Sequence, residues 1–212
     1  MKIPIRFNIV CFVLLFLFLG GTSVGQTSNT AGNQVKGRFV NDLLNFELTP
    51  PQGWLEIESE EEKAAKTIGL NALKTGDSKT DAAIEKSFST DEIIFFATEK
   101  PMGSIENAAF GMSITKLPTK GYLPRMLAES YKSTLLKNPK NRLVRDISLV
   151  DIGRRSWANI ELDLDFYGRP VHSDYFVTVI DEYALVATMS YNNDQQHQKM
   201  KDSLLGIRFT NK

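Results

Sequence analysis

The stretch Ser156 to Phe166, SWANIELDLDF, decides the fold class of this 212-residue chain. Apolar and polar side chains alternate along it without a break. The apolar set is Ala158, Ile160, Leu162, Leu164 and Phe166, and the polar set is Asn159, Glu161, Asp163 and Asp165. Because successive side chains of a strand point to opposite sides, this period of two predicts a strand with one buried and one solvent-facing side. We expect Ile160, Leu162 and Leu164 to be buried against helices, and Glu161 and Asp163 to be exposed.

Neighbouring segments of the last third of the chain share this strand-like character. The predicted strands are Leu143–Ile152, Ser156–Phe166, Val171–Ile180 and Tyr183–Tyr191, and the turns between them are Gly153-Arg154-Arg155, Gly168-Arg169-Pro170 and Asp181-Glu182. Connections this short join antiparallel neighbours. We therefore predict a four-stranded antiparallel meander. A final helix follows it, capped by Asn193 or Asp194 and ended by Gly206.

Upstream of the meander, the chain predicts further strands and helices. Strand patterns occur at Leu44–Leu48, Ile93–Ala97 and Phe110–Ile114. Ser59 is placed to cap a helix, and helical spacing of apolar residues runs from Tyr122 to Leu136. This order of elements is typical of an α+β fold, an antiparallel sheet with helices packed on its faces. We expect residues 37–212 to form a single domain.

The N-terminus has the pattern of a secretory signal peptide. Lys2 and Arg6 precede the apolar run Ile9–Leu19, and small residues, Ser23 and Gly25, precede Gln26. The run is shorter than the roughly 20 residues that a spanning helix needs. We predict a signal peptide over residues 1–25, a flexible tether over 26–36, and a periplasmic or extracellular protein without a stable membrane span. Retention of the segment as an anchor is the alternative.

Composition excludes several classes of function. The chain carries 25 basic and 25 acidic residues, and its only cysteine, Cys11, lies inside the predicted signal peptide. A near-neutral protein of mixed charge lacks the basic surface that nucleic-acid binding requires. A mature chain without cysteine has neither disulfides nor thiolate metal ligands. The domain must therefore be stabilised by burial and backbone pairing.

Several motifs together resemble the PsbP-like α/β/α sandwich superfamily. Phe46 to Trp54 reads F-x-L-x-P-P-x-G-W, the long meander contains a Gly-Arg turn, and the final helix closes with LLGIRF, Leu204 to Phe209. The superfamily includes the extrinsic subunit of photosystem II and exported bacterial proteins of the DcrB and LpqN kinds. This resemblance implies a PsbP-like fold and a binding or accessory role, with no shared catalytic residues to transfer.

The polar side of the Ser156–Phe166 strand supplies the candidate site residues. Glu161, Asp163 and Asp165 project from one side, and His172 and Asp174 share a face of the next strand. Oxygen-rich clusters suit divalent cations, and a histidine beside carboxylates suits proton transfer. The competing interpretation is an ordinary solvent face with an exposed His172. We identify no catalytic residue, no cofactor and no assigned metal site, and keep these five residues as weak metal candidates.

The arginines, the two tryptophans and His197 are the remaining residues with a possible functional role. Arg142, Arg145, Arg154, Arg155 and Arg169 are expected to gather around the meander turns, where they suit an anionic surface. Trp54 and Trp157 are expected in the core, and His197 on the surface of the final helix. The favoured function is an exported, non-enzymatic binding or accessory domain for a protein or envelope component. The alternatives are a carrier or sensor of a small ligand or divalent cation, and a hydrolase-like enzyme of unknown type.

Overall fold

The computed structural model describes residues 37–57, 91–102, 104, 106–166 and 168–210, with isolated positions between residues 63 and 85. The predicted signal peptide (1–25), the tether (26–36) and the helix cap at Ser59 lie outside the described residues. Among the isolated positions, Lys63, Thr67 and Leu70 are helical, in agreement with the predicted helix.

Among the described elements, groups of strands are separated by helices in the predicted order, and one short strand follows the final helix. The strands are β1 (Phe39–Asn41), β2 (Phe46–Leu48), β3 (Leu55–Glu56), β4 (Glu92–Thr98), β5 (Ala109–Lys116), β6 (Arg142–Ile152), β7 (Arg155–Phe166), β8 (Arg169–Ile180), β9 (Tyr183–Tyr191) and β10 (Arg208–Phe209). The helices are α1 (Pro124–Leu135), between β5 and β6, and α2 (Asp194–Leu205), between β9 and β10. Within the described ranges, no helix is both long enough and apolar enough to cross a membrane.

Two sheets organise the domain. The larger has seven antiparallel strands in the order β3-β4-β5-β9-β8-β7-β6, and the smaller has the order β1-β2-β10. The predicted four-stranded meander is confirmed as the β6-β7-β8-β9 half of the larger sheet. Each of its hairpins is closed by a short turn, which keeps sequential strands adjacent and antiparallel.

Both faces of the larger sheet are covered. One face packs Ile160, Leu162 and Leu164 of β7 against Leu127 and Tyr131 of α1. The predicted burial of these β7 side chains is confirmed. On the other face, α2 and the smaller sheet build a second core, whose larger members include Phe46, Trp54, Trp157, Phe176, Met200 and Leu204. The α/β/α layering and the core positions of both tryptophans are therefore as predicted.

The sequence also explains how the helices begin. Pro124 lies in the first turn of α1, where its missing N–H is not needed. Asn193 caps α2 as predicted, because its side-chain oxygen accepts a hydrogen bond from the backbone N of Gln196 at 3.0 Å. Gly206 follows the last turn of α2, and the chain then continues into β10.

The β6–β7 turn fits closely against β10. Gly153 has φ +58, and a Cβ there would lie 2.9 Å from Phe209 Cδ2 and 3.0 Å from Ile207 O. Gly168, in the β7–β8 turn, has φ +85 but open space around it. Position 153 therefore requires glycine for two reasons, its positive φ and its close packing on β10, whereas position 168 requires glycine only for its positive φ.

We expect Gly153→Ala to destabilise the protein more than Gly168→Ala. Both substitutions place a side chain in the left-handed region, at about 1–2 kcal/mol each, but only the first also displaces β10. Urea melts of the two variants measure the difference directly. Equal losses of stability would contradict the close packing of the turn on β10.

Candidate functional site

The polar side chains predicted on β7 converge with partners from three neighbouring strands and α2. Strand register places Arg142, Asp163, His172 and Tyr191 in one row across β6, β7, β8 and β9. A second row places Arg145, Glu161 and Asp174 side by side. The two rows lie on the face of the sheet that α2 covers, and we call them, with His197 of α2, the polar network.

Asp163 is the centre of the first row. The prediction that it is exposed is wrong, because only 5% of the residue is accessible. His172 Nδ1 donates to Oδ1 at 2.6 Å, and Arg142 Nε donates to Oδ2 at 3.1 Å, with a second bond from Arg142 Nη2. Residues on the adjacent strands therefore cover the carboxylate that a single-strand pattern assigned to solvent.

The pKa of Asp163 reflects this environment. Burial by itself would raise the pKa, but hydrogen bonds from Arg142 and His172 outweigh burial and hold the pKa below the ordinary aspartate value. The side chain is therefore a carboxylate at neutral pH, paired on both oxygens.

Asp174 lies at the end of the second row and is still more deeply buried than Asp163, at 1% accessible. Tyr191 Oη donates to its Oδ1 at 3.1 Å, and His197 Nε2 lies 2.9 Å from its Oδ2. His197 was expected on the surface of the final helix. Only 22% of its side chain is accessible, because α2 lies across the sheet and directs this residue at Asp174.

Tyr191 links the two rows through its ring. The ring stacks on His197 with centroids 4.3 Å apart and planes 8° from parallel, and on its other neighbour, His172, at 5.7 Å. Burial, together with the adjacent Asp174 carboxylate, raises the pKa of Tyr191, so the phenol remains a protonated donor. The stack holds both histidines in fixed positions over the sheet.

The remaining carboxylates have separate partners. Glu161, which was expected to be exposed, is partly buried and pairs with Arg145 at 3.0 Å. Asp165 lies beyond the network, where its Oδ2 is 3.6 Å from Lys140 Nζ and also accepts from Gly168 N. The structure thus brings together four of the five predicted residues, Glu161, Asp163, His172 and Asp174, and leaves Asp165 outside.

The hydrogen bonds of the polar network determine whether its carboxylates are available to bind a cation. Both oxygens of Asp163 and of Asp174 already accept from side chains of the protein. A cation would have to displace those donors, and no group of three or more His, Cys, Asp or Glu within the described residues is arranged to hold a metal ion. Asn159 Oδ1 is buried without a hydrogen-bond partner, and Nδ2 of the same amide lies 3.5 Å from Glu161 Oε1.

The sequence alone does not identify Arg142, Tyr191 and His197 as the partners of the buried acids Asp163 and Asp174. Counting residues across the β6–β7 turn would place Arg142 opposite Asp165, and only the two register shifts within β6, which the sequence does not reveal, bring it opposite Asp163. Nothing in the sequence indicates that α2 crosses the sheet at Asp174.

The lowered pKa of Asp163 predicts how the stability of the protein depends on pH. A carboxyl with a depressed folded pKa stabilises the protein above the unfolded aspartate value of about 3.9, and this contribution is lost as pH falls through the folded value. We expect Asp163→Asn to flatten the acid limb of a stability–pH curve below about pH 4, whereas Asp151→Asn, an exposed control on β6, leaves it unchanged. Denaturant melts at a series of pH values measure both curves, and parallel curves for wild type and Asp163→Asn would contradict the pairing.

A second group of side chains surrounds β10, at the opposite end of the β7 strand. An open cleft of about 540 Å³ is lined by Gly153, Arg154, Arg155, Ile207, Arg208 and Phe209, and we call it the arginine cleft. Two smaller clefts adjoin it. One shares Arg155 and includes Leu43, and the other shares Arg208 and includes Arg38.

Exposed apolar side chains lie at or next to residues that line these clefts. Leu43 lines one of them, Val40 pairs across the small sheet with cleft-lining Glu47, and Leu205 ends α2 next to cleft-lining Gly206. The three clefts and these apolar residues together form what we call the β10 surface.

The expectation that five arginines gather at the meander turns is wrong. Successive hairpin turns lie at opposite ends of a meander, so Arg154 and Arg155 lie at the β10 surface while Arg142 and Arg169 lie at the other end. Arg142 and Arg145 are used in the polar network.

With these features the class of protein is defined: an antiparallel sheet between helical layers, with the PsbP-like fold that the motifs imply. The solution structure of cyanobacterial PsbP (CyanoP) from Synechocystis sp. PCC 6803 matches 91% of this chain and 99% of its own, with a TM-score of 0.53 and 10% sequence identity. At this identity the likeness defines the fold and not the function.

Two further solved structures are similar at lower scores. LpqN, involved in cell envelope biogenesis of Mycobacterium tuberculosis, matches 78% of this chain and 83% of its own, with a TM-score of 0.47 and 12% identity. A protein of Bacteroides thetaiotaomicron VPI-5482 matches 82% of this chain and 48% of its own, with a TM-score of 0.45 and 14% identity. No family model and no curated protein matches the sequence.

Proposed function

We propose that this protein is an exported, non-enzymatic binding or accessory domain that interacts with a protein or another component of the cell envelope. The observation that carries this proposal is the β10 surface, where open clefts adjoin each other and expose both arginine and apolar side chains. Mixed surfaces of this kind, with apolar residues beside arginine, are typical of interaction sites.

The polar network supports a non-catalytic role. General acid–base catalysis needs a group within hydrogen-bond reach of a substrate proton. Asp163 and Asp174 instead direct both carboxylate oxygens at protein donors, and Tyr191 is packed between the two histidines. These contacts connect four strands with α2, so they stabilise the packing of the helix on the sheet.

Export is the second part of the proposal and rests on residues 1–25. The basic head, the apolar run and the small residues before Gln26 are the pattern that the secretion machinery reads. N-terminal sequencing of the protein recovered from its source organism is expected to begin at or near Gln26. An intact Met1 on cytoplasmic protein would refute export.

The binding role is tested by affinity capture from solubilised envelope of the source organism. Val40→Glu replaces one of the exposed apolar residues of the β10 surface with a charge, and Leu123→Glu places the same charge at an exposed site beside α1, on the other side of the sheet. Both sites are exposed, so both variants are expected to fold.

We expect the wild type and Leu123→Glu to retain the same co-purifying component and Val40→Glu to lose it. Recovery of the same material with all three proteins, or with none, would contradict binding through the β10 surface.

A divalent-cation carrier is the second candidate, because Asn159 Oδ1 is buried without a hydrogen-bond partner on the strand face that also carries Glu161. Amide and carboxylate oxygens are among the ligands that Ca²⁺ prefers. Binding at a hundredfold excess over Kd would stabilise the fold by about 2.7 kcal/mol. A thermal melt with millimolar Ca²⁺ against chelator tests it, and an unchanged midpoint would eliminate this candidate.

A further inference from the structure

We infer that the arginine cleft binds a phosphate group, presented either by a soluble phosphomonoester or by an anionic phospholipid headgroup. This inference deepens the proposed function and rests on it, since the cleft is part of the β10 surface. It assigns the chemistry that the binding domain recognises.

Charge is the first argument. Arg154, Arg155 and Arg208 line the cleft, and no acidic side chain does. None of the three forms an ion pair with another described residue, whereas Arg38, Arg142 and Arg145 elsewhere are paired with carboxylates. Three arginines that line one cleft, with no acidic residue in its lining, create a local positive potential in a chain of balanced charge.

Geometry is the second argument. The Arg155 guanidinium lies over the Phe209 ring, 4.7 Å from its centroid. Stacking of this kind holds the guanidinium by its face and leaves the N–H groups at its edge available. A planar set of donors held in this way matches phosphate oxygens, which accept paired hydrogen bonds from arginine.

The backbone of the turn supplies the third argument. Arg154 has φ +65, a left-handed conformation that is unfavourable for a residue with a side chain. Glycine or asparagine is the usual choice at such a turn position. Gly153 before it allows the turn to approach Ile207 and Phe209, which brings Arg154 and Arg155 to the same cleft as Arg208. The chain therefore accepts local strain in order to present arginine at this point.

Size and openness fit the ligand. A volume of about 540 Å³ lies within the roughly 300–1,000 Å³ that small-molecule sites occupy, and it exceeds what a single phosphate group fills. An open cleft at the end of the sheet also admits a headgroup that remains attached to a membrane surface. Arginine pairs bidentately with both carboxylate and phosphate, but a phosphomonoester presents three terminal oxygens and can therefore pair with more than one arginine of the cleft.

Two probes test the inference on the purified protein: glycerol 1-phosphate in solution, and vesicles of phosphatidylglycerol with phosphatidylcholine vesicles as the neutral control. Calorimetry gives the affinity for the first and flotation gives the bound fraction for the second. The main variant is Arg154→Gln with Arg208→Gln, because both residues are exposed and their replacement leaves the core intact. Arg169→Gln, at the opposite end of the meander, is the matched control.

We expect the double variant to bind at least about tenfold more weakly than wild type, since the loss of a charge-assisted hydrogen bond weakens binding by about tenfold or more. Arg169→Gln is expected to bind as wild type does. Arg155→Lys keeps the charge but loses the stacked, planar donor set, and is expected to weaken binding as well. Binding of glycerol 1-phosphate alone supports the site with a soluble ligand, and binding of phosphatidylglycerol vesicles alone supports it with a lipid ligand.

Failure of both probes to bind, or equal binding by wild type and the double variant, would overturn the inference. The affinity-capture experiment with Val40→Glu tests the proposed function separately. If the partner were a protein without phosphate, that capture would still be lost in Val40→Glu, while both phosphate probes would fail to bind. Loss of both results would refute both proposals.

Discussion

Leu162→Ala is expected to lower the free energy of unfolding by about 2–5 kcal/mol, the range for truncating a buried leucine. Leu162 is 1% accessible and packs in the core between β7 and α1. Removing its side chain leaves a cavity that neighbouring elements cannot fill, because strand register fixes their positions. Denaturant melts with a common slope measure the loss.

Leu149→Ala is the matched control for this prediction. The same atoms are removed from the next strand of the sheet, but Leu149 is 57% accessible. We expect a change within about 0.5 kcal/mol. Leu149 pairs with Ala158 and so lies on the same face as Leu162, but on the edge strand β6, and similar losses for both variants would contradict the burial of Leu162.

Asp174→Ala is the second substitution with a large expected effect. It leaves the Tyr191 hydroxyl and His197 Nε2 without their acceptor, at about 1–3 kcal/mol for each stranded donor. Asp151→Ala, at an exposed position on β6, is the matched control and should change stability by less than about 0.5 kcal/mol.

The interaction between Asp174 and His197 can be measured separately from a general loss of stability. Asp174→Asn keeps one oxygen as an acceptor and is expected to lose less stability than Asp174→Ala. A double-mutant cycle with His197→Ala should show a coupling free energy of about 0.5–3 kcal/mol, because the two side chains are in contact. Additive effects of the two substitutions would refute the bond between α2 and the sheet.

The sequence predicts the fold well because local patterns determine it. The alternation along β7 identifies both the strand and its buried residues, and the short turns identify antiparallel partners. The motifs from Phe46 to Trp54 and from Leu204 to Phe209 indicate the PsbP-like fold, which the structure confirms.

The polar network is only partly predictable for a physical reason. A period of two separates the faces of a strand, but it does not tell which face water reaches. Asp163 resembles a solvent-face residue on β7 alone, yet Arg142 and His172 of the adjacent strands cover it. His197 illustrates the same limit, since its position on a helix does not reveal the Asp174 that the helix crosses.

The arginine cleft could have been anticipated in part. Consecutive turns of a meander alternate between its two ends, so Arg154 and Arg155 cannot lie beside Arg169. What the sequence does not show is that β10 returns to the β6–β7 turn, where Gly153 permits close contact with Phe209. This return adds Arg208 to the cleft and creates the β10 surface.

The central claim is that the protein works by binding through the β10 surface. Photo-crosslinking in the source organism tests it most directly, with the photoreactive residue at Leu43 in one protein and at Leu123 in another. The two leucines are similarly exposed, at 54% and 60%, but only Leu43 belongs to the β10 surface. The account predicts a discrete adduct from position 43 and none from position 123. An adduct from position 123 alone, or no protein or lipid adduct from position 43, would contradict it.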